Sequence, residues 1–233
     1  MTTVSRSIED VLTATALFAV AAPQTIDQLA RASRRRTIER NDMLFVAGER
    51  ATSIYIVDAG TFRVFNSSAQ GTEPTLALIH EGEIIGELGV LDDLPRSASI
   101  AALRRSEIVE IPAASFRAAY GSDPAISRQM VVLLGARLRT VTDGLADLAY
   151  LDLGGRLAKY LVAESERRKD LTFRLPLTQA ELGQLLGGAR QSVNQVVRSF
   201  EQAGLIALDG RTVHILDERG LRHRAMSSGG RFE

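Results

Sequence analysis

Past a leading helix, the N-terminal half of the chain alternates short apolar runs with glycine-bearing breaks. The runs are Thr37–Ile38, Met43–Phe45, Ser53–Val57, Thr61–Phe65, Thr75–His80, Ser97–Ala102 and Glu107–Ile111, and Gly48, Gly60, Gly71, Gly82 and Gly86 punctuate them. Glycine takes the positive φ of tight turns at no steric cost. Alternation is clearest in Ser53-Ile54-Tyr55-Ile56-Val57, the period of a strand. Many short, evenly spaced strands predict a sandwich or barrel rather than a βαβ fold.

Ahead of these runs, Val11 to Ala22 is apolar, rich in small residues and preceded by Arg6, a loose mimic of a secretory leader. Glu9 and Asp10 stand where a leader has its basic flank. The segment therefore reads as an amphipathic helix capped by Ser7, and the chain as cytoplasmic.

From Ala125 on the pattern changes. Val131, Leu134, Leu138, Val141, Leu145 and Leu148 are spaced 3, 4, 3, 4, 3, which draws one apolar stripe along a helix running from near Pro124 to about Leu151. Such a stripe suits the seam of a parallel dimer; its alternative is a helix packed on its own domain. Gly135 and Gly144 each weaken the helix by about 1 kcal/mol relative to alanine. A second helix, Gly155 to Arg167, runs into the charged stretch from Glu164 to Asp170, read as a solvated face or loop.

Further on, Thr178-Gln179-Ala180-Glu181 has the capping-box pattern. It opens a helix that buries Leu182, Leu185 and Leu186 and breaks at Gly187-Gly188. A second helix, Arg190 to Ala203, buries Val193, Val196, Val197 and Phe200 and stops at Gly204, although Ala189 makes a poor N-cap. Gly183 is small where the two helices would approach. Asp209-Gly210 between two apolar runs signals a hairpin. Helix, short turn, helix and hairpin together make a winged helix, whose second helix enters the major groove. Its expected solvent face carries Arg190, Gln191, Ser192, Asn194, Gln195 and Arg198. Arginine can fork onto guanine, glutamine and asparagine onto adenine, and serine can bond phosphate. An ordinary polar helix face is the alternative.

Composition narrows the remaining classes. The 233 residues include 45% apolar and 24% charged, ordinary for a globular chain. The 28 basic and 28 acidic residues cancel, so overall charge names no partner. From Leu171 onward eight arginines against six acidic residues leave a net charge of two positive, a mild bias toward nucleic acid. With no cysteine, disulfides, iron–sulfur clusters and thiolate chemistry are excluded. His80, His214 and His223 have no partner at metal-ligand spacing, so no metal or haem is expected. Asp92-Asp93 and Glu81/Glu83 are acidic neighbours, but adjacent side chains on a strand or turn point apart. No Ser/His/Asp order, HExxH or P-loop is present. The chain is read as no enzyme.

One motif is left: Ile85-Gly86-Glu87-Leu88-Gly89-Val90-Leu91, Asp92-Asp93-Leu94-Pro95, then Arg96-Ser97-Ala98. A glycine-rich turn exposes backbone N–H groups that can hold an anion. Arg96 adds a charge-assisted fork for phosphate, and Ser97 a further donor. Glu87 is out of place beside a phosphate unless it accepts from a hydroxyl.

Taken together, the cassette, the long helix, Leu148-Ala149-Tyr150-Leu151-Asp152 before Gly155-Arg156, and Gly187-x-x-Arg190-x-x-Val193 resemble the Crp–Fnr (catabolite activator-like, cyclic-AMP-receptor-like) transcription regulators. The likeness covers about residues 10–217. It implies an α+β fold: an N-terminal jelly-roll-like β-roll that binds cyclic nucleotide (1–123), a dimerisation helix and hinge (124–152) and a winged helix-turn-helix (153–224); beyond it, the Ser-Ser-Gly-Gly run marks 225–233 as an expected flexible tail. It further implies a homodimer on a pseudo-palindromic operator, in contact with RNA polymerase and controlled allosterically by a cyclic nucleotide, cAMP.

The resemblance places Gly86 and the backbone of Glu87 and Ser97 at the phosphate, with Arg96 as counter-charge. Glu87 would take the ribose 2′-OH, Leu88 and Ala98 would line the pocket, and Arg137 would pair with Glu87 or approach the nucleotide. The base would lie near Val141 and Thr142, where cAMP-responsive members usually carry two hydroxyls; Val141 cannot bond the adenine amino group. A regulator of cGMP, of another small ligand, or of none is therefore the alternative. The dimer seam would use Leu134, Leu138, Val141, Leu145 and Leu148. Arg190, Gln191, Ser192, Gln195 and Arg198 would touch DNA. Members often carry an acidic and a basic residue where Gln191 and Gln195 stand, so a shifted operator consensus is expected.

Overall fold

The computed structural model describes residues 6–67 and 73–226. They form two compact units, Met1–Arg137 and Leu138–Glu233.

The first unit opens with α1 (Ile8–Ala14). Ser7 Oγ accepts from Asp10 N at 3.1 Å, and the Asp10 carboxylate accepts from Ser7 N at 3.0 Å. The helix ends well short of Ala22. Thr15 Oγ1 donates back to Val11 O at 2.7 Å, a local bond that competes with helix continuation. Pro23 then starts a separate helix, α2 (Pro23–Ala32), at the position proline suits.

The strands follow: β1 (Arg34–Ile38), β2 (Met43–Phe45), β3 (Ser53–Ala59), β4 (Thr61–Phe65), β5 (Thr75–His80) and β6 (Ile84–Ile85). After a short α3 (Glu87–Leu91) come β7 (Ser99–Ala102), β8 (Ser106–Pro112), α4 (Ala113–Ser122) and the long α5 (Pro124–Tyr150). Two four-stranded antiparallel sheets result, ordered β1-β8-β3-β6 and β2-β7-β4-β5. Gly71, one of the expected turn glycines, lies outside the described residues.

Strand β3 shows why the fold has two apolar layers. Its side chains alternate between faces. Ile54 and Ile56 join Leu12, Leu29, Phe116 and Ile126 of the helices and Phe18 of the turn between α1 and α2. Tyr55 and Val57 join Phe62, Ile100 and Ile108 of the strands. Phe18 meets Phe116 edge to face at 6.3 Å. Asp123, just before α5, ties the helical layer together: it accepts from Ala22 N at 2.9 Å, Thr25 Oγ1 at 3.2 Å and Ala125 N at 3.0 Å.

The second unit contains α6 (Leu153–Arg168), β9 (Thr172–Arg174), α7 (Gln179–Leu186), α8 (Arg190–Gln202), β10 (Ile206–Asp209), β11 (Thr212–Ile215) and α9 (Glu218–Met226). Asp152 caps α6, accepting from Gly155 N at 2.8 Å, and Arg224 of α9 pairs with it at 2.6 Å. The hairpin β10–β11 turns at Gly210, with φ +59°, and β9 adds a third strand. The charged stretch after residue 163 is not simply solvated: Glu164 is buried and pairs with Arg167 at 2.8 Å and Arg168 at 3.1 Å. Ala225 and Met226, placed in the expected tail, belong to α9, and the rest of that segment, 227–233, lies outside the described residues.

Candidate ligand cassette and DNA-reading helix

Strand β6 delivers the chain to Gly86, whose φ of +82° opens α3. A Cβ there would stand 2.4 Å from Arg96 Nη1, so both backbone and space require glycine. Arg96 is only 5% exposed. Its Nη1 donates to Gly86 O at 2.7 Å and its Nη2 to Ser53 O at 2.6 Å. The guanidinium lies 4.1 Å from the Phe45 ring centre, and Phe45 stacks on Tyr55 at 5.9 Å. Burial lowers the pKa of Arg96 from its usual value, although an arginine stays a cation in a protein.

Glu87, 1% exposed, pairs through Oε1 with Nη1 of Arg137 on α5, and Arg137 Nη2 also donates to Ile84 O. Two buried polar atoms are left over: Glu87 Oε2 and Arg96 Nε have no hydrogen-bond partner among the described residues. Both residues line one cavity of about 110 Å³.

That cavity brings together Gly86, Glu87, Leu88, Arg96, Ser97, Ala98 and Arg137, residues drawn from three places in the chain. Val141 and Thr142 do not line it. Both are exposed on α5 in the second unit, and the Thr142 hydroxyl donates to Leu138 O of its own helix at 2.9 Å. Sequence reasoning missed Phe45, Tyr55 and the Ser53 carbonyl, which hold Arg96. Only strand pairing brings them to it.

In the second unit, α7 carries the expected capping box: Thr178 Oγ1 accepts from Glu181 N at 3.3 Å, and the Glu181 carboxylate accepts from Thr178 N at 2.6 Å. It ends at Gly187 with φ +66°. Gly183 is small because the turn folds onto it: a Cβ would stand 2.6 Å from Gly188 O. Ala189 provides no side-chain cap for α8. Val193, Val197 and Phe200 are buried, whereas Val196 and, on α7, Leu185 are only half-buried. Arg190, Gln191, Gln195 and Arg198 are exposed and Ser192 half-exposed. Asn194 departs from the expected solvent face: it is half-buried, and its Oδ1 is buried with no partner among the described residues.

Along α5 the apolar stripe divides. Leu134 is half-buried against the helical core of the first unit. Leu138, Val141, Leu145 and Leu148 are 57–69% exposed. No helix among the described residues is long and apolar enough to cross a membrane, and no group of His, Asp and Glu there is placed to hold a metal ion.

Residues 35–123 match the cyclic nucleotide-binding domain family, and residues 155–224 the Crp-like helix-turn-helix domain family. A relative from Mycobacterium tuberculosis, a CRP-like cAMP-activated global transcriptional regulator, is 29% identical over 223 residues, covering 94% of this chain and 100% of the relative. Among solved structures, FixK2 from Bradyrhizobium japonicum has a TM-score of 0.77 at 19% identity, over 84% of this chain and 99% of that one. The c-di-GMP responsive global regulator CLP of Xanthomonas campestris has a TM-score of 0.71 at 23% identity, over 84% and 100%. A sheet domain of the cyclic nucleotide-binding family and a Crp-like helix-turn-helix domain together define a DNA-binding transcription regulator. The chain belongs to the Crp–Fnr family of transcription regulators, and its relatives are regulators rather than enzymes.

Proposed function

We propose that this regulator works as a homodimer whose grip on a pseudo-palindromic operator is controlled by cAMP at the cassette. The supporting observation is that Arg96 and Glu87, each with one buried unpartnered atom (Nε and Oε2), line one cavity beside the Gly86 turn. A cyclic nucleotide supplies what they lack, an anionic phosphate and a ribose hydroxyl donor, so the residues fit that group. In this reading Arg96, Gly86, Glu87 and Ser97 hold the phosphate and ribose, and Leu88 and Ala98 pack beside them. Arg137 fixes the Glu87 carboxylate. The exposed leucines of α5 form the dimer seam, and residues 1–123, 124–152 and 153–224 act as sensor, dimer helix with hinge, and DNA-binding domain. Arg190 reads a guanine, Gln191 and Gln195 neighbouring bases, and Ser192 and Arg198 the backbone. RNA polymerase is the proposed further partner.

A second reading has its own support. The cavity of about 110 Å³ is below the roughly 300 Å³ at which ligand pockets begin, and the Arg96 fork is already occupied by two carbonyls. A regulator that binds DNA constitutively, or answers a ligand smaller than a cyclic nucleotide, would need no wider site; cGMP, no smaller than cAMP, is told apart from it by direct titration. Calorimetric titration with cAMP, with cGMP in parallel and Arg96→Ala as control, separates the two. Micromolar cAMP binding that Arg96→Ala abolishes supports the first reading; no heat with either nucleotide removes it.

A further inference from the structure

Only Leu151 and Asp152 separate α5 from α6, and no proline stands between residues 124 and 176 to impose the break. Asp152 is extended, with ψ 175°, and its carboxylate caps α6. The contacts that hold this break come from other parts of the second unit. Arg156 donates through Nη1 to Leu151 O, a carbonyl left without a helical partner at the end of α5. Its Nε donates to Leu186 O, at the end of α7, at 2.8 Å. Arg224 comes from α9. Its Nη2 lies 2.6 Å from both carboxylate oxygens of Asp152, and its side chain is only 11% exposed. The guanidinium rests on the first turn of α6, where a Cβ on Gly154 would stand 2.4 Å from Arg224 Nη2. Burial would raise the Asp152 carboxyl, yet hydrogen bonds from Arg224 and Gly155 N hold it below its usual value. Helix α9 is itself fixed: Leu221 is fully buried, and Arg222 pairs with Glu166 of α6 at 2.6 Å.

We propose that α9 is a clasp: Arg224 holds the α5–α6 break stiff, and that stiffness sets which spacing between operator half-sites the regulator accepts. Arg224 is thus a positioning residue for DNA recognition, acting through Asp152 rather than on a base. A helix-turn-helix dimer reaches half-sites about one helical turn apart. Each added base pair turns one half-site by roughly 35° about the duplex axis and moves it by about 3.4 Å. A stiff break meets one spacing, whereas a loose one follows several. The spacing claim rests on the dimer reading given above; the stiffness of the break does not.

The test uses the full chain and two separate readouts. Hydrogen exchange without DNA or nucleotide reads the break directly. Arg224→Ala should speed exchange of the Gly155 amide, which donates to Asp152, by at least about tenfold and leave the amides of α7 and α8 unchanged. Gly154→Ala should do the same by displacing the guanidinium, although alanine by itself strengthens a helix. Arg224→Lys should restore part of the protection. Arg222→Ala, which removes only an exposed pair, should leave it intact. Unchanged exchange in Arg224→Ala, or an equal rise throughout α7 and α8, would overturn the clasp. The second readout is affinity for duplexes with two selected half-sites and spacers of graded length. Engaging both sites together adds about 100-fold or more, so the wild type should lose that much away from its preferred spacer. Arg224→Ala and Gly154→Ala should stay within about tenfold across the series. An equal loss at every spacer would overturn the spacing claim. A wild type indifferent to spacing would contradict the dimer reading and remove the spacing claim with it, while the exchange result still decides the clasp.

Discussion

Arg137 of α5 pairs with Glu87 of α3, whose other carboxylate oxygen, Oε2, is buried with no partner among the described residues, and both residues line the cassette cavity. The pair is uneven: Glu87 is 1% exposed and the Arg137 side chain 34%. Removing the arginine would strand a buried charge. Arg137→Ala should therefore lower the unfolding free energy by about 2–4 kcal/mol, less than for a fully buried pair because water reaches the vacated site. Adding Glu87→Gln to Arg137→Ala should recover much of that loss. Urea unfolding of the single and double variants checks both; equal midpoints for wild type and Arg137→Ala would remove the contact from the account.

The exposed part of the α5 stripe predicts dimerisation through Leu138, Val141, Leu145 and Leu148. Burying a leucine contributes about 1.5–3 kcal/mol, and a two-fold interface counts each substitution twice. Leu145→Ala should then weaken the dimer by two to four orders of magnitude, roughly, if the side chain is fully buried in the seam. Sedimentation equilibrium over a concentration series measures it. Leu134→Ala should instead lower the stability of the first unit, because that side chain already packs on its helical core.

On DNA, Arg190→Ala should cost about 1–3 kcal/mol of specific affinity and relax the preference at one base position. Gln191→Ala and Gln195→Ala should shift preference at neighbouring positions with smaller losses. Selection from a random duplex pool, repeated with each variant, reads the change. An unaltered consensus for Arg190→Ala would take the guanine contact away from this residue.

Asp123 gives a pH dependence. The hydrogen bond from Ala22 N, with those from Ala125 N and Thr25, holds its carboxyl below the usual value of 3.8 despite an opposing effect of burial. A folded-state pKa below the unfolded one stabilises the fold above the unfolded value, and the contribution disappears as pH falls through the lower folded value. Cooling of the melting temperature below about pH 4 should thus be shallower in Asp123→Asn than in the wild type. Thermal melts from pH 7 to pH 3 compare the slopes.

Much of this architecture is legible in the sequence wherever a local rule acts. The cap at Ser7, the capping box at Thr178, the glycines 86, 187, 204 and 210, and the period of α5 all act within a few residues, and all are present. Arg96 shows the limit. Its charge and its place after the glycine turn mark it as a phosphate ligand, but its observed partners are Ser53 O, Gly86 O and the Phe45 ring. Those are brought to it by strand pairing across more than one sheet. The early end of α1 is similarly hidden, because Thr15 reads as a neutral helix residue until its hydroxyl is seen bonded to Val11 O. Glu164 inside a charge run reads as solvated, yet its two arginines come from the next turn of its own helix and allow its burial.

The central claim is that a ligand at the cassette governs DNA reading by α8. A ligand can shift that equilibrium only through its differential affinity for the two states, and couplings of this kind amount to roughly 5–150-fold. The most direct measurement is fluorescence anisotropy of a labelled selected operator, titrated with the full chain in the presence and absence of saturating cAMP. The account predicts at least about fivefold tighter binding with cAMP, abolished by Arg96→Ala. Identical operator affinity with and without the nucleotide would contradict it.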